Sequence, residues 1–169
     1  MGWTRAQRWR RWRRACASLV GAVRRICRHG ERVGACFAVE ASGRNLVVRV
    51  PEIQRLIDAV GSPAPAVNLD SANYVMCGND RLQAVRLLGR RIVHTHAKDG
   101  RSGTGPDGRT REMSLSAGGV PWTEYLEALR AVDYDGLLTS EREGDPDPGA
   151  DIAVAAEFLC PQLVGPARA

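Results

Sequence analysis

The chain has 169 residues, of which 44% are hydrophobic, 25% charged and 5% aromatic, a composition that predicts one soluble α/β-sized domain and excludes disorder throughout. Five cysteines, an odd number without a CxxC pair, argue against a disulfide framework or a zinc ribbon, so we expect free thiols in the cytoplasm. No apolar run approaches the roughly 20 residues of a membrane span.

Positive charge is concentrated at the N-terminus. Residues 1–32 contain ten arginines and one acid, Glu31, whereas residues 33–169 contain 14 basic and 18 acidic residues. The net charge of +5 therefore comes from the first segment alone.

Residues 1–32 also have the periodicity of a helix. Apolar side chains recur every three to four residues on one face, and the other face is arginine. The members of this stripe are Trp9, Trp12, Cys16, Leu19, Val20, Val23, Ile26 and Cys27. We interpret the segment as a basic amphipathic helix packed on the domain. Two alternatives stay open: contact with nucleic acid or an anionic membrane surface, and a twin-arginine leader, which Arg13-Arg14 before ACASLVGAV resembles.

Four short apolar runs follow, and each ends in an acid or a histidine. They are nearly continuous and bounded by turn residues, as expected of strands buried on both faces of a parallel sheet. The runs lie at 35–40, 64–70, 91–96 and 136–141, and the strands are predicted near 35–40, 66–70, 91–96 and 136–141.

Helical spacing separates and follows these runs. The predicted helices lie at 51–61, 79–89, 120–132 and 149–159. Pro51 and Pro121 suit the first helical position, and Gly61 and Gly89 suit helix ends. The alternation predicts four parallel βα units with right-handed crossovers.

Glu40, Asp70, His96 and Glu141 stand at the ends of the predicted strands. Ligands of parallel α/β folds gather at the carboxyl ends of the strands, so we expect these side chains to converge. Three carboxylates on one rim would repel each other, and a bound divalent cation would compensate. One imidazole with three oxygen ligands indicates Mn²⁺, Mg²⁺, Co²⁺ or catalytic Zn²⁺.

Three segments, VNLDSAN, RIVHTHAKDG and GGVPWTEYLEALRAVDYDGLLTSERE, resemble the C-terminal half of the sugar phosphate isomerase/epimerase family, the xylose isomerase-like TIM barrels. The resemblance extends from about residue 30 to residue 160. It implies an α/β fold that is the C-terminal half of a TIM-type (β/α)₈ barrel, since a complete barrel needs roughly 250 residues. Residues 33–169 would form four parallel βα units, and the basic amphipathic helix would precede them.

The resemblance also implies a metal-dependent sugar or sugar-phosphate isomerase or epimerase. Its metal ligands would be Glu40, Asp70, His96 and Glu141, with Mn²⁺ as the first choice, and the two glutamates would also be the catalytic acid and base. The ion would bind a sugar carbonyl and its neighbouring hydroxyl and stabilise an enediolate.

Further polar residues are candidates for substrate binding. Asn73 stands where many relatives have a substrate-contacting histidine. Lys98 and Arg101, in the loop after His96, would hold a phosphate or hydroxyl, with solvated loop charges as the alternative. His94 shares the strand face of His96 and is expected to be a packed or hydrogen-bonded histidine.

Two loops depart from familiar patterns. Ser116-Ala117-Gly118 replaces the GEG that commonly precedes the last βα unit of the family. The glycine-rich segment 100–109 is interpreted as a mobile βα loop rather than a phosphate loop, because no Lys-Ser/Thr follows it.

Three functional hypotheses remain open. The first is the isomerase or epimerase, as a truncated member with a small sugar as its partner. The second is a metal-dependent nuclease of the apurinic-endonuclease kind, which is disfavoured because the chain has only three histidines. The third is a non-catalytic half-barrel. Four curved parallel strands would leave two unpaired edges, so we expect either a homodimer that completes the barrel or marginal stability.

Overall fold

The computed structural model describes residues 5–43, 45–103, 110–144 and 147–163, without the side chains of residues 5–9 and 11. Helices and strands alternate along most of this length. In chain order they are α1 (Arg5–Val33), β1 (Phe37–Glu40), α2 (Val50–Val60), β2 (Pro65–Asp70), α3 (Ser71–Met76), α4 (Arg81–Leu88), β3 (Ile92–Ala97), β4 (Asp99–Arg101), β5 (Arg111–Met113), α5 (Trp122–Ala131), β6 (Leu138–Ser140) and α6 (Pro148–Leu163). A short 3₁₀ helix, Gly89–Arg91, joins α4 to β3.

The main sheet has the strand order β1-β2-β3-β6, and all of its pairings are parallel. This order confirms the four predicted βα units, although β1 and β6 are two to three residues shorter than predicted. The central strand β2 is buried at every position. Packing on both faces explains why even the polar side chains of Asn68 and Asp70 are buried in this strand.

The helices after the strands bury one face of the sheet. Buried residues from α2, α4 and α5 join those of β2 and β3 in one hydrophobic core. Glu52 in the first turn of α2 accepts hydrogen bonds from the backbone N–H groups of Val48 and Arg49, and Gly61 ends the helix at a φ of 65°. These contacts satisfy helix ends that would otherwise lack hydrogen-bond partners.

The basic helix α1 packs against α2, as the sequence predicted. Cys27 is fully buried, and Arg24 donates a hydrogen bond to the carbonyl of Val60 at 3.0 Å. Two members of the predicted stripe are exposed rather than buried, Ile26 by 44% and Trp12 by 38%. Trp9, also predicted there, has a side chain outside the described residues.

A small antiparallel ladder flanks the segment 100–109, which the sequence predicted as a mobile βα loop. β4 pairs with β5, with Gly100 opposite Glu112 and Arg101 opposite Arg111. The segment therefore begins as a strand, while residues 104–109 lie outside the described part of the chain. The helix α3, which begins directly after β2, was also absent from the predicted elements.

The outer edges of β1 and β6 have no strand partner among the described residues. Leu137, next to β6, is 73% exposed. In the described ranges, no helix combines the length and the apolar run needed to cross a membrane.

Candidate metal centre

Three predicted ligands meet at the carboxyl end of the sheet. Glu40 ends β1, Asp70 ends β2 and His96 is the fifth residue of β3. One potential ligand atom from each lies within 4.8 Å of the other two. This spacing is compatible with a single ion bound between them.

Glu141 approaches the same point from the residue after β6. Its Oε2 lies 3.2 Å from Nδ1 of His96. Because β1 and β6 are the edge strands of the sheet, Glu40 and Glu141 flank Asp70 and His96 from opposite sides. The four predicted side chains are thus brought together at one rim.

Asp70 has one carboxylate oxygen without a hydrogen-bond donor. Its Oδ1 accepts the backbone N–H of Asn73 at 2.8 Å and so caps α3. Its Oδ2 is buried and accepts no hydrogen bond, and His96 Nδ1 and Lys98 Nζ lie 3.8 and 3.9 Å away from it. A buried carboxylate oxygen without a hydrogen-bond donor suits a bound cation.

Burial is the main cause of an unusual pKa at Asp70. The loss of solvent, together with the charges of Glu40 and Glu141, raises the pKa of this carboxyl to about 7, against the lowering effects of the Asn73 N–H and Lys98. A divalent ion would hold Asp70 ionised at neutral pH. The proton and the metal ion would therefore compete for this carboxylate.

Two asparagines orient Glu40. Asn68 Nδ2 donates to Oε2 at 2.7 Å, and Asn73 Nδ2 donates to Oε1 at 3.0 Å. Asn68 also lies 3.3 Å from Nε2 of His96. Sequence reasoning chose Asn73 but missed Asn68, although its position two residues before Asp70 on the same strand face was the available signal.

Lys98 is buried rather than solvated, which excludes the alternative of a solvated loop charge. Its Nζ contacts Glu141 Oε2 at 3.1 Å and also contacts Glu143. Burial lowers the pKa of Lys98, but Glu143, Asp70 and Glu141 outweigh this effect, and the net shift is upward. The side chain is therefore an ammonium ion and not a free amine nucleophile.

Lys98 has the opposite effect on its partner. Burial raises the pKa of Glu141, but the hydrogen bond and charge of Lys98 and the charge of His96 outweigh it, so the net shift is downward. Glu141 and Asp70 are neighbouring carboxyls whose pKa values are shifted in opposite directions. Such pairs are typical of catalytic sites.

His94 and Arg101 lie beside the candidate site and make no hydrogen bond or ion pair with its carboxylates in the described part of the chain. The His94 ring packs edge-on against that of His96, with centroids 5.4 Å apart, as expected of a packed histidine. Arg101 is exposed on β4 and donates to the carbonyl of Gly118 at 3.2 Å.

A buried carboxylate that the sequence analysis did not select organises the loop beside the site. Asp99 accepts hydrogen bonds from five N–H groups, of which the indole of Trp122 is one. The backbone donors are Gly100, Ser116, Gly118 and Val120. This single side chain therefore ties β4 to the start of α5.

The sequence model of the family described as "Xylose isomerase-like TIM barrel" matches residues 3–162. The chain belongs to this family. The strand-end carboxylates and histidine therefore lie on the fold that the sequence resemblance implied, and the parallel sheet corresponds to part of such a barrel.

Several known proteins are similar to the chain over part of their own length. The protein YfiH of Bacillus subtilis is 28% identical over 142 residues, which are 73% of this chain and 45% of YfiH. The structure of a xylose isomerase domain protein from Planctomyces limnophilus is 26% identical with a TM-score of 0.71, over 86% of this chain and 51% of that one. A D-psicose 3-epimerase structure, determined in the presence of D-fructose, is 25% identical with a TM-score of 0.59. The match covers 80% of this chain and 45% of the epimerase chain. The chain thus spans about half the length of these relatives.

The segment Ser116-Ala117-Gly118 donates two backbone N–H groups to the buried Asp99 carboxylate. Ser116 and Gly118 both donate their N–H groups to Asp99 Oδ2, at 3.1 and 3.2 Å. Ser116 has a φ of 71°, a left-handed conformation that favours glycine. The first glycine of the family motif therefore suits the backbone conformation here.

Proposed function

We propose that this chain carries the metal-binding half of a sugar or sugar-phosphate isomerase or epimerase, with Glu40, Asp70, His96 and Glu141 as ligands of one divalent ion. The observation that carries the proposal is the buried Oδ2 of Asp70, which has no hydrogen-bond donor and faces the other ligands. The oxygen-rich donor set with one imidazole suits Mn²⁺ first, and Mg²⁺, Co²⁺ or Zn²⁺ next.

Glu40 and Glu141 are the proposed acid and base. They stand on the two edge strands, so a substrate bound between them would present opposite faces to the two carboxylates. The lowered pKa of Glu141 leaves it ionised at neutral pH and ready to accept a proton from a carbon next to a carbonyl. Glu40, held by Asn68 and Asn73, exchanges the proton on the other face. The ion, when bound, supplies the polarisation of the carbonyl and its neighbouring hydroxyl.

Substrate contacts are proposed for Asn73 and Arg101. Asn73 lies beside Glu40 and would direct its amide to a sugar hydroxyl. Arg101 is exposed near the rim loops and would hold a phosphate, because a guanidinium matches phosphate geometry. Lys98 was a third candidate, but its ammonium already contacts carboxylates, so it is not proposed to hold substrate.

The nuclease alternative receives no support from the histidines. His29 is exposed on α1 and accepts a hydrogen bond from Arg32. Only His94 and His96 remain at the sheet, and two imidazoles do not supply the multi-histidine set of that enzyme class.

Calorimetric titration with Mn²⁺ tests the proposal directly. We expect wild type to bind one ion, and His96→Ala to bind it more weakly by about tenfold or more, because an imidazole ligand is lost. His29→Ala is the matched control and should bind as wild type does. Equal binding by all three proteins, or binding by none, would contradict the assigned site. Turnover is then assayed with a panel of free and phosphorylated ketoses.

A further inference from the structure

Lys98 is the only lysine in the chain, whereas 23 residues are arginine. It is also among the most deeply buried charged residues, with a side chain only 2% exposed. Burying an ammonium ion is costly unless partners compensate. Three carboxylates do so here, from Asp70, Glu141 and Glu143.

The chemistry of lysine fits this position better than that of arginine. An ammonium is a compact charge that several carboxylates can approach at one point, whereas a guanidinium is a planar fork. The backbone is fixed as well, because Ser71 Oγ donates to the carbonyl of Lys98 at 2.6 Å. Ser71 directly follows Asp70, so the ammonium is anchored beside the ligand that caps α3.

The main chain after β6 is held separately from the Glu141 carboxylate. The backbone N–H of Glu143 donates to Glu112 Oε1 at 2.9 Å. Arg142 Nη1 lies 3.0 Å from the same Glu112 oxygen and its Nε donates to Asp151. These contacts fix the backbone that carries Glu141 but leave its carboxylate to be oriented by Lys98 and His96.

We propose that Lys98 is a positioning residue that orients the Glu141 carboxylate toward His96 and the ion. The inference rests on the proposed function, since it assigns the orientation of one proposed ligand. Lys98 holds Glu141 Oε2, while Glu143, whose side chain is 70% exposed, supplies the second carboxylate that keeps the ammonium buried. Lys98 does not itself contact substrate in this role.

A double-mutant cycle on Mn²⁺ affinity tests the coupling. We expect Glu141→Gln to weaken binding by about tenfold or more in the wild-type background, but by less than about threefold in Lys98→Met, where Glu141 is no longer oriented. Glu40→Gln is the matched control, because Glu40 is oriented by asparagines and should lose the same factor in both backgrounds. An equal loss for Glu141→Gln in both backgrounds would overturn the proposal.

A second measurement uses the unmodified side chain and needs no stable Lys98 variant. One lysine gives one side-chain ¹⁵Nζ resonance in the NMR spectrum. In the metal-free protein we expect the ammonium protons of Lys98 to exchange slowly with water. We also expect the ¹⁵Nζ resonance to shift when Glu141 is replaced by Gln. An amine that exchanges as fast as free lysine and ignores Glu141→Gln would overturn the inference. A protected, Glu141-sensitive amine in a protein that binds no Mn²⁺ would instead contradict the proposed function alone.

Discussion

Asp70 and His96 are register partners on neighbouring parallel strands. They are opposite each other because the β2–β3 register shifts between Val67 and Asn68, where Val67 pairs with Ile92 and Asn68 pairs with His94. Without this irregularity Asp70 would be opposite Thr95, whose side chain is buried against Tyr125. Register irregularities often re-aim side chains next to active sites.

The buried carboxylate of Asp70 is predicted to lower the stability of the metal-free protein while it serves as a metal ligand. Its pKa is raised, so the ionised form is disfavoured in the folded protein, and this cost grows as the pH rises from about 4 to about 7. We expect Asp70→Asn to stabilise the metal-free protein by about 1–3 kcal/mol at pH 8, to lose this advantage near pH 4, and to abolish stabilisation by Mn²⁺. Denaturant unfolding with and without Mn²⁺ measures each effect.

Asp80→Asn is the matched control for that experiment. Asp80 is also a helix N-cap, with Oδ1 accepting from Leu82 and Gln83, but it is exposed. Asparagine caps a helix about as well as aspartate, so the change in stability should be within about 0.5 kcal/mol. If Asp70→Asn instead destabilises the protein at pH 8, the buried ionised carboxylate does not lower the stability of the folded protein.

Metal binding should depend on pH through the same group. Because the pKa of Asp70 is about 7, a proton must leave before the ion binds at lower pH. The apparent affinity for Mn²⁺ should therefore rise about tenfold per pH unit below 7 and level off above about 8. Calorimetry in two buffers of different ionisation enthalpy counts the released protons. An affinity that is constant from pH 6 to 8 is incompatible with this prediction.

The left-handed backbone at Ser116 predicts a stabilising substitution. With a φ of 71°, Ser116 adopts a conformation that costs a non-glycine residue about 1 kcal/mol. Ser116→Gly should therefore raise the free energy of unfolding by up to about 1 kcal/mol while keeping the N–H donated to Asp99. Ala117→Gly, which lacks a positive φ, should not stabilise, and a gain of equal size there would refute the backbone explanation.

The neighbouring Gly118 predicts the opposite outcome. A Cβ at this position would lie 1.9 Å from Asp99 Oδ1 and 2.7 Å from the backbone nitrogen of Gly100. Gly118→Ala should therefore destabilise the protein by about 2 kcal/mol or more, because the buried carboxylate loses donors when the loop shifts. Gly21→Ala inside α1 meets only the end of the Arg25 side chain and should stabilise by about 0.5–1 kcal/mol. Thermal unfolding of both variants checks the contrast.

The open edges of the sheet lead to a prediction about assembly. The outer edges of β1 and β6, which lack a strand partner among the described residues, and the exposed Leu137 favour either association of two copies or marginal stability with hydrophobic-dye binding. Sedimentation velocity and dye fluorescence distinguish the two outcomes. A monodisperse monomer with a cooperative thermal transition and no dye binding would be inconsistent with both.

The four strands and their order were predictable because local sequence determines them. The run 65–70 is mostly apolar and ends before a helix, and every position in it is buried, so burial on both faces fixes it as a strand. The strand-end positions of Glu40, Asp70 and Glu141 followed from the same pattern.

What the sequence could not predict depends on contacts between distant segments. The β4–β5 ladder lies beside Asp99, which accepts hydrogen bonds from residues as far along the chain as Trp122. The burial of Lys98 requires carboxylates from two distant segments of the chain, the end of β2 and the residues after β6. The contacts of Asn68 depend on a register shift that leaves no periodic signal. Each of these is a tertiary effect that overrides local preference.

The parallel pairing of the main sheet also has a kinetic consequence. Register partners such as Glu40 and Asn68, or Thr95 and Leu138, are far apart in sequence, and no pair of strands in this sheet is joined by a tight turn. Each pairing therefore closes a long loop before its contacts stabilise the sheet, so topology sets a slow rate of folding. Refolding after dilution from denaturant is expected on the scale of milliseconds to seconds, while α1, which needs only local contacts, forms its hydrogen bonds within about microseconds.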